Sequence, residues 1–101
     1  MHMLMAIYGR PADPAAFKAH YEAVHLPIAE RLPGVVDVVH TFDVTDVTGG
    51  DAFCVFTAVF RSRADLEAAM ASEIGQELER DVPNYATGGI RLLILPKLTG
   101  G

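Results

Sequence analysis

The chain has 101 residues, of which 50% are hydrophobic and 21% charged, and its formal net charge is −5. This size and composition predict one folded domain over residues 1–101 and argue against disorder. The 13 acidic residues outnumber the 8 basic ones, which argues against nucleic acid as a partner. The longest apolar stretches are about eight to ten residues, too short for a membrane span.

The only cysteine is Cys54, so no internal disulfide can form. The apolar segment Met1–Tyr8 has neither the basic leader nor the cleavage site of a signal peptide. We therefore expect a cytoplasmic protein with no membrane association.

The first third of the chain predicts a strand followed by a helix. Met3 to Tyr8 is short, apolar and bounded by turn residues, which favours a buried strand. Asp13 and Pro14 are typical of a helix start, as N-cap and first-turn proline. Pro33-Gly34 would end this helix. Its apolar stripe consists of Phe17, Tyr21, Val24, Ile28 and Leu32.

The remainder predicts two strands, a helix and a final strand. Residues 35–44 and 52–60 alternate as strands of a hairpin. Ser62 and Asp65 resemble a capping box that opens a second helix, which Gly75 would bend or split. Ile90 to Leu95 is the last strand. The order βαββαβ predicts a ferredoxin-like α+β sandwich with both helices on one face.

The strand at 52–60 is apolar on both of its faces. Two helices cover only one face of a four-stranded sheet, so the other face needs a partner. A second copy of the same sheet would supply it, which predicts a sheet-to-sheet homodimer. One face carries Phe53, Val55, Thr57 and Val59, and the other carries Cys54, Phe56, Ala58 and Phe60.

The segment from Phe17 to Pro27 carries the main candidate for chemistry. Pro27 has no N–H and its ring collides with the carbonyl of Ala23, which predicts a helix break beside His25. An imidazole with an ordinary pKa of about 6.5 suits proton transfer near neutral pH. Two interpretations stay open: His25 either acts on a ligand or caps the carbonyls that Pro27 frees.

Tyr21 and His40 are further catalytic candidates. Tyr21 precedes His25 by one turn, so its phenol either orients the imidazole or packs in the core. His40 interrupts an apolar strand face, where it either pairs with His25 across a substrate or serves as a core or interface histidine. His20 lies about 140° from His25 on a regular helix, so we expect no shared metal ion and no metal site.

The chain resembles the EthD family of the dimeric α/β-barrel superfamily. The resemblance implies an eight-stranded barrel formed by a dimer, with the helices outside. Members are linked to ethyl tert-butyl ether degradation, and relatives isomerise lactones or act on aromatic polyketides. In this resemblance His25 matches the helix histidine of the family. The motifs that carry it are Tyr8, Pro11, Asp13, Phe17, His20-Tyr21, His25-Leu26-Pro27, Leu32-Pro33-Gly34 and Tyr85-Ala86-Thr87-Gly88-Gly89.

Three functional hypotheses follow. The first is a cofactor-independent enzyme that uses His25, with Tyr21 or His40, to transfer a proton on an apolar cyclic or aromatic metabolite, as an isomerase, dehydratase or decarboxylase does. The second is a non-catalytic protein that binds such a compound. The third is an oxygenase, by analogy within the superfamily. The residues expected to line the pocket are Tyr8, Phe17, Phe56 and Tyr85.

Overall fold

A computed structural model describes residues 1–98 of the chain. The elements are β1 (His2–Gly9), α1 (Pro14–His20), a π turn (Tyr21–His25), α2 (Leu26–Ala29), β2 (Asp37–Thr41), β3 (Ala52–Phe60), α3 (Arg63–Ala71), α4 (Glu73–Asp81), a 3₁₀ turn (Val82–Asn84) and β4 (Ile90–Leu95). The strands form one antiparallel sheet in the order β2-β3-β1-β4. The predicted ferredoxin-like α+β fold is confirmed. None of the helices in this part of the chain has the length and apolar character needed to cross a membrane.

Both predicted helix starts are confirmed by side-chain caps. The Asp13 carboxylate accepts a hydrogen bond from the N–H of Ala16 at 3.1 Å. The Ser62 hydroxyl accepts one from the N–H of Asp65, also at 3.1 Å. Each cap satisfies a donor that would otherwise have no partner in the first helical turn.

The second helical segment is split at Ser72 instead of at Gly75. Ser72 has an extended backbone, ends α3 and caps α4, where its hydroxyl accepts from the N–H of Gly75 at 3.1 Å. Gly75 serves a different purpose. A Cβ at this position would collide with the carbonyl oxygens of Ala69 and Met70, so the glycine lets α4 approach the end of α3 closely.

The first helical segment continues through Pro27 without the predicted break. The N–H of Leu26 donates to the carbonyl of Tyr21, five residues back, which makes the intervening turn a π turn. A wider turn relieves the collision between the Pro27 ring and the carbonyl of Ala23. The helix therefore extends to Ala29.

The π turn also changes which side chains face the core. The sequence pattern places Val24 in the apolar stripe, but Val24 is 40% exposed, whereas His25 is only 2% exposed. An extra residue in the turn shifts the helical phase, so the imidazole takes the inward position. The other members of the predicted stripe, Phe17, Tyr21, Ile28 and Leu32, are buried.

The strand predicted over residues 35–44 is shorter in the structure. Regular pairing covers only Asp37–Thr41. Asp43 has a φ of 55°, a left-handed conformation that interrupts a strand. Beyond it, the N–H of Val44 still donates to the carbonyl of Phe53 at 3.0 Å, so the hairpin continues in irregular form.

A β-bulge places Phe53 on the helix side of the sheet. The register between β1 and β3 shifts between Tyr8 and Gly9, which leaves Phe53 as an extra residue in β3. Its side chain is fully buried, with the ring centroid 5.2 Å from that of Phe17. The prediction that Phe53 shares a face with Val55 was wrong, because strict alternation does not allow for a bulge.

The outer face of the sheet is apolar and is not covered by the helices of the chain. Val55, Thr57 and Val59 of β3 are only half-buried. Val39 of β2 is 56% exposed, and Leu93 of β4 is also exposed. Burial on both faces of β3, as the sequence predicts, is thus incomplete in the single chain.

Candidate functional site

Asp81, at the end of α4, bridges two histidines of the first helical segment. One carboxylate oxygen lies 2.8 Å from Nε2 of His20, and the other lies 3.0 Å from Nδ1 of His25. The side-chain amide of Asn84 donates to the first oxygen at 3.0 Å. Asp81 is only 6% exposed, so these donors replace most of its hydration.

A chain of hydrogen bonds leads from this carboxylate to two tyrosines. Nε2 of His25 lies 3.0 Å from the hydroxyl of Tyr85. That hydroxyl lies 2.6 Å from the hydroxyl of Tyr8 on β1. All of these side chains are buried. The helices, the segment after α4 and the sheet therefore meet in one continuous path: Asp81, His25, Tyr85 and Tyr8.

The surroundings fix the charges of Asp81 and His25. Burial acts to raise the pKa of Asp81, but hydrogen bonds from Asn84, His20 and His25 outweigh it and lower that pKa. Burial lowers the pKa of His25 below 6.5, although the hydrogen bond and charge of Asp81 oppose the shift. At neutral pH the site thus contains an ionised carboxylate and a neutral imidazole.

These charges determine where each proton lies. Ionised Asp81 can only accept, so Nδ1 of His25 carries the hydrogen. Nε2 then accepts from the hydroxyl of Tyr85, whose oxygen in turn accepts from the hydroxyl of Tyr8. Burial raises the pKa of Tyr8 to about 12 and also raises that of Tyr85. Both phenols therefore keep their protons, as this arrangement requires.

A cavity of about 200 Å³ lies between the helices and the sheet beside this network. Tyr8 and His25 both contribute to its lining. Glu79 is the other polar residue that lines it, and the remaining walls are apolar. These walls include Leu4, Ala6, Phe56, Met70, Leu78 and Leu92.

The structure distributes the four predicted pocket residues over three environments. Tyr8 and Phe56 line the cavity. Tyr85 belongs to the hydrogen-bonded path and is absent from the cavity lining. Phe17 is a core residue whose ring stacks on that of Tyr21, with centroids 5.5 Å apart.

Tyr21 lies against both His25 and His40. Its ring stacks on His25 with centroids 5.0 Å apart, and its centroid is 5.8 Å from that of His40. Its buried hydroxyl has no hydrogen-bond partner within residues 1–98, and burial raises its pKa. His40 also packs against Phe42 at 5.2 Å and does not line the cavity. The structure thus links the three predicted catalytic residues through the Tyr21 ring.

Sequence reasoning missed Asp81 and His20. Asp81 lies in a segment that the sequence predicts as a connection between elements. On a regular helix His20 and His25 point in directions about 140° apart, so the sequence does not predict a shared partner for them. The available signal was Pro27: a proline tolerated inside a helix favours a wider turn before it. Across residues 1–98, no group of three or more His, Cys, Asp or Glu side chains has an arrangement that could hold a metal ion.

Sequence comparison now assigns the family. The EthD domain profile matches residues 10–89. The chain belongs to the EthD family. An uncharacterized 11.0 kDa protein encoded in the thcB–thcC intergenic region of Rhodococcus erythropolis is 34% identical to this EthD chain over 100 residues, covering 98% of this chain and 97% of the relative. The resemblance inferred from the motifs is confirmed.

Solved structures agree with this assignment. An EthD family protein from Bacillus halodurans has a TM-score of 0.88 and 26% identity, covering 97% of this chain and 99% of the other. Hydroxynitrile lyase from Passiflora edulis has a TM-score of 0.74 and covers 99% of this chain and 96% of the other. At 12% identity, that second likeness concerns the fold alone.

Replacing the bridging carboxylate should destabilise the protein and make His25 less basic. Asp81→Asn keeps the shape but removes the charge that favours protonation of His25, so the pKa of His25 should fall further. Loss of the charge-assisted hydrogen bonds should lower the free energy of unfolding by about 2–4 kcal/mol. Urea denaturation and an NMR titration of the imidazole measure the two effects.

Asp43→Asn is the matched control, because Asp43 pairs with Lys18 at the surface. It should cost less than about 1 kcal/mol and leave the titration of His25 unchanged. Equal effects of the two substitutions would contradict the role assigned to Asp81.

The lowered pKa of His25 predicts that stability falls in mild acid. The unfolded chain takes up a proton at this residue near pH 6.5, whereas the folded protein does so only at lower pH. The contribution of His25 should therefore be complete above pH 6.5 and decrease as the pH falls towards its folded pKa. The lowered pKa of Asp81 acts below 3.8, outside this window.

Urea denaturation at several pH values between about 7.5 and 5 tests this dependence. His25→Gln should flatten the decline. An equal slope in the wild type and the variant would show that other groups cause it.

Proposed function

We propose that this protein is a cofactor-independent enzyme that moves a proton within an apolar cyclic or aromatic metabolite. The supporting observation is the hydrogen-bonded path from Asp81 through His25 and Tyr85 to Tyr8, beside a cavity that Tyr8 and His25 line. An isomerase needs a group that takes a proton and returns it to another atom of the substrate, a dehydratase one that takes a proton and passes one to the leaving hydroxyl, and a decarboxylase one that protonates the carbon from which carbon dioxide leaves. This path supplies such a group within an apolar surround.

In the proposed reaction the oxygen of Tyr8 accepts a proton from the substrate. The proton of Tyr8 passes to Tyr85, and the proton of Tyr85 passes to Nε2 of His25. The result is a neutral Tyr8, an imidazolium held against the carboxylate of Asp81, and a substrate anion whose charge the imidazolium balances. Since no phenolate accumulates, the raised pKa of Tyr8 does not prevent it from acting as a base. Reversal of the path returns the proton to another atom of the substrate, which completes an isomerisation.

Tyr21 and His40 have positioning roles in this proposal. Tyr21 stacks on the imidazole of His25 and so restricts its rotation. His40 packs on the same tyrosine. Neither residue lines the cavity, so proton transfer to the substrate is assigned to Tyr8 with His25 behind it.

Hydrogen–deuterium exchange on a simple ketone tests proton transfer without knowledge of the natural substrate. We expect the protein to accelerate exchange of the protons next to the carbonyl of 1-indanone in D₂O, followed by NMR. Both His25→Gln and Tyr8→Phe should slow the catalysed exchange by about 10²–10⁴-fold and leave binding of the ketone nearly unchanged. His2→Gln, outside the cavity lining, should retain the wild-type rate. Exchange at the background rate in the wild type would count against an enzyme.

A non-catalytic binding protein is the second candidate. It is favoured by the fact that both ring nitrogens of His25 already bond to protein groups, Asp81 and Tyr85, so neither is free to contact a guest directly. Such a protein would bind 1-indanone with an affinity that does not change between about pH 5 and 8, where an imidazole titrates, and would show no exchange.

We also propose that the protein is a homodimer joined through the outer faces of the two sheets. The apolar side chains of β2, β3 and β4 on this face are half-buried or exposed in the single chain. Burial against an identical face would remove them from water and convert two four-stranded sheets into a barrel.

Sedimentation equilibrium tests the dimer. The wild type should sediment as a dimer, and Val39→Arg should shift it towards the monomer, because the substitution places a charge on the apolar face that the dimer would bury. Val47→Arg is the matched control, since Val47 is exposed in the loop between β2 and β3. A monomeric wild type would overturn the proposal.

A cytoplasmic location is a further part of the proposal. Cys54 is buried, and burial raises the pKa of its thiol to about 12. A protonated, inaccessible thiol does not exchange with disulfides. Because Cys54 is also the one cysteine of the chain, no internal disulfide can form, which suits a reducing compartment.

A further inference from the structure

The cavity beside His25 has an unusual balance of charge for a ligand site. No lysine or arginine among residues 1–98 contributes to its lining. His25 is neutral for the reasons given above, and Tyr8 retains its proton. Among the described residues of the lining, Glu79 is the one acidic side chain, and the carboxylate of Asp81 lies behind His25. A guest therefore meets negative charge and no positive charge.

This balance penalises anionic guests in two ways. A carboxylate, sulfonate or phosphate would lose hydration on entry without gaining a counter-charge. It would also be repelled by Glu79 and, through His25, by Asp81. A neutral guest of the same shape avoids both costs, so the cavity should distinguish compounds by charge.

The apolar surface continues beyond the cavity along β4. Leu92 pairs in register with Ala6, and Ile94 pairs with Leu4, so these β4 side chains share the helix-side face. The helices leave Leu92 60% exposed. Hydrogen bonding, by contrast, is offered by the oxygen of Tyr8, because both ring nitrogens of His25 already bond to Asp81 and Tyr85. This arrangement suits a mainly hydrocarbon guest with one polar end.

We propose that the site selects uncharged apolar compounds with one hydrogen-bond donor, and that Glu79 is a specificity-determining residue that repels anions. This inference rests on the proposed function in one respect only: the guest occupies the same cavity. It requires no turnover, so it can be tested by binding alone.

Two fluorescent probes that differ in charge provide the test. N-phenyl-1-naphthylamine is neutral, and 1-anilinonaphthalene-8-sulfonate has the same ring framework with an added sulfonate. We expect the neutral probe to bind more tightly at about pH 7.5, where His25 is neutral. Added salt should narrow the difference, because it screens the repulsion of the anionic probe.

The methionines report where each probe binds. The chain has four, and methyl labelling with ¹³C gives one NMR signal for each. Met70 lines the cavity, whereas Met3 and Met5 lie on β1 and face the opposite side of the sheet. Both probes should shift the Met70 signal and leave those of Met3 and Met5 in place.

Glu79→Lys isolates the effect of charge from that of the extra volume of the sulfonate. It should tighten binding of the anionic probe by about fivefold, in keeping with a partly screened charge, and leave binding of the neutral probe unchanged. Glu30→Lys makes the same change in net charge at an exposed residue that caps the end of α2 outside the cavity. It should alter the affinity of neither probe.

The outcomes separate this inference from the proposed enzyme. Equal affinity of the two probes at the Met70 site, or equal effects of Glu79→Lys and Glu30→Lys, would overturn charge selection and leave the proton path untouched. If neither probe shifts Met70, the cavity admits no guest, and both proposals fail. Selection of the neutral probe without any ketone exchange would support this inference and contradict the proposed enzymatic activity.

Discussion

The buried carboxylate of Asp81 is the interaction on which the arrangement of the site depends. It accepts hydrogen bonds from two histidines on the first helical segment and from Asn84 beyond α4. Removing a carboxylate from water is costly unless such charge-assisted bonds replace its hydration. The same bonds join α4 to the first helical segment. They also set the tautomer of His25, from which the proton positions at Tyr85 and Tyr8 follow.

The π turn makes this shared carboxylate geometrically possible. On a regular helix His20 and His25 diverge, and Val24 would point inward instead of His25. One wide turn brings both imidazoles to Asp81 and relieves the strain at Pro27. A single local irregularity thus resolves a backbone conflict and assembles a buried polar network, in agreement with the frequent occurrence of π turns at functional sites.

The sequence predicts the fold well because its main signals are local. Alternating apolar residues predict the strands, and Asp13 and Ser62 predict the helix starts through capping that spans only three residues. The prediction fails where a strand or helix departs from its regular residue repeat. Strict alternation misplaces Phe53 because of the bulge, and the 3.6-residue repeat misplaces Val24 because of the π turn.

The site is less predictable because its central contact joins residues that are 56 positions apart. His25 is identifiable from its neighbours in the chain, particularly Pro27. The role of Asp81 depends on how α4 packs against the first helical segment, which no periodicity within either segment reveals. The catalytic roles of His25, Tyr21 and His40 stay predictions, while the structure adds Asp81 and Tyr85 as the partners that control the protonation of His25.

The wide turn also constrains the length of the first helical segment. With one residue fewer at 21–25, a regular repeat would press the Pro27 ring against the carbonyl four residues before it and turn one imidazole away from Asp81. The number of residues in this segment therefore matters as much as their identity.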